Sequence, residues 1–185
     1  MRIVPVATSA AVLCLLSQVI LAEPVLTFQG VGSVRLGMTA VAAEQALGSR
    51  LKKVDDISGH GSGDDEKSCW IGRRADGVEP ELFYLFEQGK LTRIDVDPSS
   101  KSPVSLVKTP KAIGINSTAN EIRRVYGDRA AVVATHDPDP VEGVVWMRLS
   151  SSEKGRAITF ILYKGKIASF WTGLYPAIDY YEGCL

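Results

Sequence analysis

Residues 60–66 read HGSGDDE and residues 136–142 read HDPDPVE, so each of the chain's two histidines opens a loop of glycine, proline and acid that closes on glutamate. His60, Asp64, Asp65, Glu66, His136, Asp137, Asp139 and Glu142 supply the imidazole and carboxylate donors that a zinc-type centre requires. Their spacing follows neither the helical H-E-x-x-H pair nor the D-x-D-x-D-G calcium loop, and the glycine and proline between them leave the donors unorganised. Nucleophilic chemistry would need His60 or His136 as the base for Ser58, Ser62, Ser68 or Cys69, yet no G-x-S-x-G elbow is present. Asp64 with Asp65, or Asp137 with Asp139, would suit glycoside hydrolysis only if the fold held two carboxyls about 5–9 Å apart. No G-x-x-x-x-G-K-S/T loop and no G-x-G-x-x-G between strand and helix occur, so nucleotide chemistry is unsupported. Turns rich in Asp, Gly and Pro are also what ordinary exposed connections look like, so a metal site, a catalytic pair and two plain turns all stay open. No catalytic residue, no metal ligand and no cofactor is assigned.

The elements that must position these loops begin after a leader. Residues 1–22, MRIVPVATSAAVLCLLSQVILA, carry one basic residue, Arg2, then an uncharged and mainly apolar run from Ile3 to Ala22, and polar Glu23 follows. That order is a secretory signal peptide's, with cleavage expected after Ala22. Pro5, Thr8, Ser9, Ser17 and Gln18 make the run a poor membrane anchor, which needs about 20 strongly apolar residues. Cys14 lacks the small residues of a lipoprotein cleavage box before it, so no lipid anchor is expected. The 21 basic and 21 acidic residues balance, and loss of Arg2 leaves one acid in excess, with the signs mixed along the chain. Nucleic acid and anionic membranes reward a basic patch, so neither is expected as partner. The expected location is periplasmic or secreted, with no membrane insertion after cleavage.

Beyond the leader stand two cysteines, Cys69 and Cys184. An even count in an oxidising compartment points to one disulfide between them. Such a bridge would close a loop of about 115 residues, for which the chain-entropy relation gives roughly 4.7 kcal/mol.

Two segments of the mature chain resemble each other. VRLGMTAVAAEQALGSRL at 34–51 and IGINSTANEIRRVYGDRA at 113–130 align at a spacing that puts Thr39 on Thr118 and Gly48 on Gly127. Each reads as a short helix with a threonine N-cap and a glycine stop, and Glu121 completes a capping box with Thr118. Further on, the spacing shortens by about three residues: LFYLFEQGKLTRIDV at 82–96 falls on ITFILYKGKIASFWT at 158–172, and Trp70 on Trp146. Aromatic and aliphatic runs around Gly89 and Gly165 are hairpin signals. The expected fold is therefore α+β, with two tandem repeats, each a short helical segment followed by an antiparallel sheet of three or more strands. The expected organisation is a signal peptide over 1–22, repeat one over 23–104 and repeat two over 105–185, with the Pro- and Ser-rich stretch 97–112 as the link.

Aromatic residues concentrate in the predicted strands and in the tail FWTGLYPAIDYYEGC. Alternate strand positions face a core, and the surplus on the outer face would serve protein recognition, for which Trp70, Tyr84, Trp146, Phe170, Trp171 and Tyr175 are the candidates. The tandem helix-then-sheet pattern in an exported chain resembles the secreted β-lactamase inhibitory protein. VRLGMTAVAAEQALG also resembles the G-M-T element and following helix of small outer-membrane assembly lipoproteins, and GINSTANEIRRVYGD with DYYEGC is similar to exported bacterial proteins of unknown function. These resemblances imply a fold and, by analogy with the inhibitor, binding through loops and an outer sheet face. The expected function is an exported protein-binding protein, of inhibitor or immunity type, acting on an extracytoplasmic enzyme. A metal or small-molecule binder using the His60 and His136 loops is the alternative, and a hydrolase ranks last.

Overall fold

The computed structural model describes residues 23–54, 69–79, 81–98, 105–133, 142–153, 155–180 and 184. It is an α+β fold with antiparallel sheets and two helices, as the sequence patterns lead one to expect. A small sheet of β1 (Leu26–Thr27), β2 (Gly30–Val31) and β3 (Val34–Arg35) opens the chain. Helix α1 (Ala40–Leu47) leads to β4 (Leu51–Lys53), β5 (Cys69–Arg74), β6 (Leu82–Glu87) and β7 (Lys90–Val96). Helix α2 (Ala119–Tyr126) leads to β8 (Ala130–Val133), β9 (Val144–Ser150), β10 (Arg156–Tyr163) and β11 (Lys166–Leu174).

Local chemistry sets the helix limits. Thr39 Oγ1 accepts from the Ala42 amide at 3.2 Å, and Gly48, at φ 63°, ends α1 in the left-handed region. At α2 the capping box closes in both directions: Thr118 Oγ1 accepts from the Glu121 amide at 3.3 Å, and Glu121 Oε2 accepts from the Thr118 amide at 2.7 Å. One buried residue per helix, Ala43 and Ile122, points at the sheet.

The two central hairpins turn alike. Glu87 pairs with Lys90 and Tyr163 with Lys166, which leaves two-residue turns, Gln88-Gly89 and Lys164-Gly165, with positive φ at all four positions. Both are type I′ turns, whose twist matches that of the flanking strands. A register shift interrupts each hairpin two residues before its turn, between Leu85 and Phe86 and between Ile161 and Leu162. The segment before each helix bonds to the strand after the turn. Gly37 N donates to Leu91 O at 2.7 Å and Leu91 N to Met38 O at 2.8 Å, while Asn116 N donates to Ile167 O at 2.9 Å and Ile167 N to Ser117 O at 2.8 Å.

The eight longer-range strands make one sheet in the order β4-β5-β6-β7-β11-β10-β9-β8. The seam is the antiparallel pairing of β7 with β11, from Arg93 opposite Gly173 to Val96 opposite Phe170. Because the two central strands run in opposite directions, the turn at Gly89 and the turn at Gly165 lie at opposite ends of the sheet. On the first face Tyr84, Phe86, Ile94, Phe160 and Phe170 meet Ala43, Ile122 and residues of the small sheet in the main core. Each such fully buried side chain contributes about 1.5–3 kcal/mol through removal from water.

The alignment of Trp70 with Trp146 is corrected by the register. Gly72 pairs with Tyr84, and Met147 with Phe160, so the residue matching Trp146 across the two halves is Ile71. A one-residue slip moves a side chain to the other face of a sheet. Trp70 accordingly packs beside the main core and stacks on Phe86 at 4.4 Å between centroids, while Trp146 belongs to a separate cluster on the second face.

Candidate protein-binding corner and the strapped second face

The second face of the sheet is covered by the chain's own tail. After β11 the chain makes a short 3-10 turn, Ala177–Asp179, and Ala177 and Ile178 are fully buried against the sheet. Trp171 Nε1 donates to Ile178 O at 3.1 Å, and Arg93 Nη1 donates to Tyr180 O at 2.6 Å and to Ala177 O at 3.3 Å. Arg93 is itself neutralised by Asp95 at 2.7 Å. Arg148 pairs with Asp179 at 2.6 Å and lies 5.7 Å from the centroid of the Tyr175 ring. The Cys69–Cys184 disulfide, with Cα atoms 5.5 Å apart, fastens the far end of the tail to β5.

This arrangement corrects the expectation that Trp70, Tyr84, Trp146, Phe170, Trp171 and Tyr175 form an outer recognition surface. Tyr84 and Phe170 are buried in the main core, and Trp70 is half-buried beside it. Trp146 and Trp171 meet edge-on at 5.3 Å between centroids and are buried on the second face with Ala157 and Ile178. Of the six, Tyr175 alone is exposed, at 46%. Helices pack on the first face and the strap covers the second over β7, β11 and β10, which is where these strand aromatics are buried.

Among the described residues the exposed large apolar side chains are Val25, Val41, Val78, Leu106, Val132, Val145, Tyr163 and Tyr175, and three of them, Val132, Val145 and Tyr163, share one corner on β8, β9 and β10. Val132 is 58% exposed, Val145 40% and Tyr163 44%. Pairing of Val132 with Met147 puts Val132 and Val145 on the first face, and pairing of Val144 with Tyr163 puts those two on the second. Val133 and Val144, half-buried, flank Trp146 there. Apolar side chains thus wrap round the end of the sheet on both sides. This corner was not legible in the sequence. Its signal was the uncharged run AAVV at 130–133, which is too short for period-two alternation to identify.

The histidines His60 and His136 lie outside the described residues, and whether they converge lies there too. The strands that anchor their loops are described, however. Lys53 and Cys69 flank the first loop at the Gly89 end of the sheet, whereas Val133 and Val144 flank the second at the Gly165 end and on the opposite side of the seam. Among the described residues no group of three or more His, Cys, Asp and Glu could hold a metal ion.

A small cavity of about 190 Å³ lies between the first sheet, α1 and β5–β6, with Arg74, Glu79 and Tyr84 among its walls. Asp76 grips Arg74 with two bonds, at 3.1 and 2.7 Å, and Glu79 lies 3.6 Å away. The Arg74 bond and the Val78 amide hold the Asp76 carboxyl well below the usual carboxylate range. Burial pushes the Glu79 carboxyl and the Tyr84 phenol up. The guanidinium is matched by two carboxylates, so the cluster reads as a structural ion network.

Among the described residues no helix is long and apolar enough to cross a membrane. No protein-family model, curated protein or solved structure matches the chain.

Proposed function

We propose that the chain is an exported protein, periplasmic or secreted, that acts by binding another protein, as an inhibitor or immunity-type protein blocks an extracytoplasmic enzyme. The observation that carries this reading is the exposed apolar corner of Val132, Val145 and Tyr163, which share one end of the sheet. The leader sequence and the Cys69–Cys184 disulfide fit an oxidising compartment. We also read the mature chain as a tandem duplication. Matched type I′ turns, matched register shifts and matched bonds before each helix support that reading more strongly than the sparse sequence identity does. The metal-binding alternative draws no support from loops anchored at opposite ends of the sheet.

Affinity capture from a cell-envelope extract tests the reading. The expected result is one stoichiometric protein partner whose capture is lost when Val145 and Tyr163 are both changed to Lys. Recovery of no protein under several ionic strengths would count against it.

A further inference from the structure

β8 is the outermost strand of the eight-stranded sheet, and among the described residues no strand pairs with its free side. Its four residues, Ala130–Val133, hold no charge and no proline. At the other edge β4 exposes Lys52 and Lys53. Lysine on an edge is a common guard against unwanted strand pairing, and β8 has none. Among the described residues, then, one edge of the sheet is guarded by lysine and the other is not.

The unpaired side of a strand presents backbone N–H and C=O groups, so the ligand that complements it is another extended backbone. The side chains beside it set the rest of the preference. Val132 and Val145 on the first face, with Val133 and Val144 on the second, offer apolar contacts to both sides of an added strand toward the Val133 end. At the other end the surroundings are basic. Arg129 directly precedes β8, and α2, which packs against β8, exposes Arg123 and Arg124; the acids in this stretch are Asp128 and Glu121, the second of which is engaged by the Thr118 cap. None of the three arginines makes an ion pair among the described residues. The excess positive charge calls for acid in whatever lies alongside.

We infer that β8 takes up an extended segment of the partner protein by strand addition, with acidic residues of that segment near Arg129 and apolar ones beside Val132. The inference rests on the protein-binding reading and names the mode in which this corner would work.

The test uses the oxidised full chain and two labelled synthetic peptides. One has two glutamates followed by alternating valine and threonine, and the other replaces the glutamates with lysine. The expected result is binding of the acidic peptide at least tenfold tighter than the basic one, with slowed amide exchange at residues 130–133. The Val132→Lys variant, altered at an exposed site, should melt like the wild type and lose at least tenfold in affinity. Failure of the acidic peptide to bind, absence of protection at 130–133, or equal binding by Val132→Lys would overturn strand addition. If an envelope protein is captured equally by wild type and Val132→Lys, protein binding stands and the β8 mode falls. Capture of nothing by the wild type removes the parent reading, which the peptide titration does not measure.

Discussion

The guanidinium carbon of Arg93 lies 4.5 Å from the centroid of the Trp171 ring, and both side chains hold the same short stretch of tail. Arg93 sits on β7 and Trp171 on β11, so the strap is fastened across the seam that joins the two halves of the sheet. A buried arginine at such a point needs partners for its nitrogens. Asp95 takes Nε and Nη2, and the carbonyls of Ala177 and Tyr180 take Nη1, so each of its three nitrogens has a partner.

Arg93→Ala should therefore cost about 3–5 kcal/mol, because it strands Asp95 and two carbonyls. Trp171→Phe keeps most of the ring and removes the bond to Ile178, for about 1–3 kcal/mol. Urea unfolding of the two single variants and the double variant checks both values. Coupling between them is expected, since they hold one segment.

Loss of the disulfide should loosen the strap before the sheet. Replacing Cys69 and Cys184 with Ser is expected to lower stability by about 2–5 kcal/mol. Amide exchange at Ile178–Tyr180 should rise more than exchange in β6 and β10. Equal increases everywhere would mean that the bridge acts on the unfolded chain alone.

The two hairpins should respond alike. A Cβ added at Gly89 or Gly165 meets nothing within 4 Å, so the cost of alanine is conformational, set by φ of 73° and 78°. Gly89→Ala and Gly165→Ala should each cost about 1–2 kcal/mol, measured by denaturant midpoint. A difference well beyond that range would mean that the turns are not equivalent.

What could be read in the sequence was the local chemistry. Thr39, Thr118, Glu121, Gly48, Gly89 and Gly165 act on backbone groups within a few residues, and each does in the structure what its type suggests. The Cys69–Cys184 bridge followed from a count of two. Long-range placement was not legible. The fact that the tail returns over the second face depends on Arg93, Trp171 and Arg148 meeting carbonyls and an acid many residues away, and no periodicity encodes that. The disulfide was the available hint, because a bridge to β5 obliges the tail to come back to the sheet. Pairing Trp70 with Trp146 by spacing failed because one residue of register reverses a strand's faces, while composition is blind to register.

Glu79 and Asp76 give stability opposite dependences on pH. Burial raises the Glu79 pKa above its ordinary value despite Arg74, so just above that value the folded state binds more protons, and the Glu79 contribution falls as pH rises. Hydrogen bonds from Arg74 and Val78 depress the Asp76 pKa. Its contribution is present above the unfolded pKa and lost as pH falls through the folded one. Glu79→Gln should thus be at least as stable as the wild type at neutral pH, with any advantage vanishing below the ordinary carboxylate range. Asp76→Asn should be less stable at neutral pH and keep that deficit until strong acid. Urea midpoints at neutral, mildly acidic and strongly acidic pH separate the two.

The central claim is that the β8–β9–β10 corner is the protein-binding surface. It is tested most directly by the affinity of the captured partner for Val145→Lys, Tyr163→Ala and Tyr175→Ala variants, each altered at an exposed residue. At least tenfold weaker binding is expected for the first two and unchanged binding for Tyr175→Ala, since Tyr175 lies at the other end of the second face beside Arg148. Unchanged affinity at Val145 and Tyr163, or a loss confined to Tyr175, would contradict the claim.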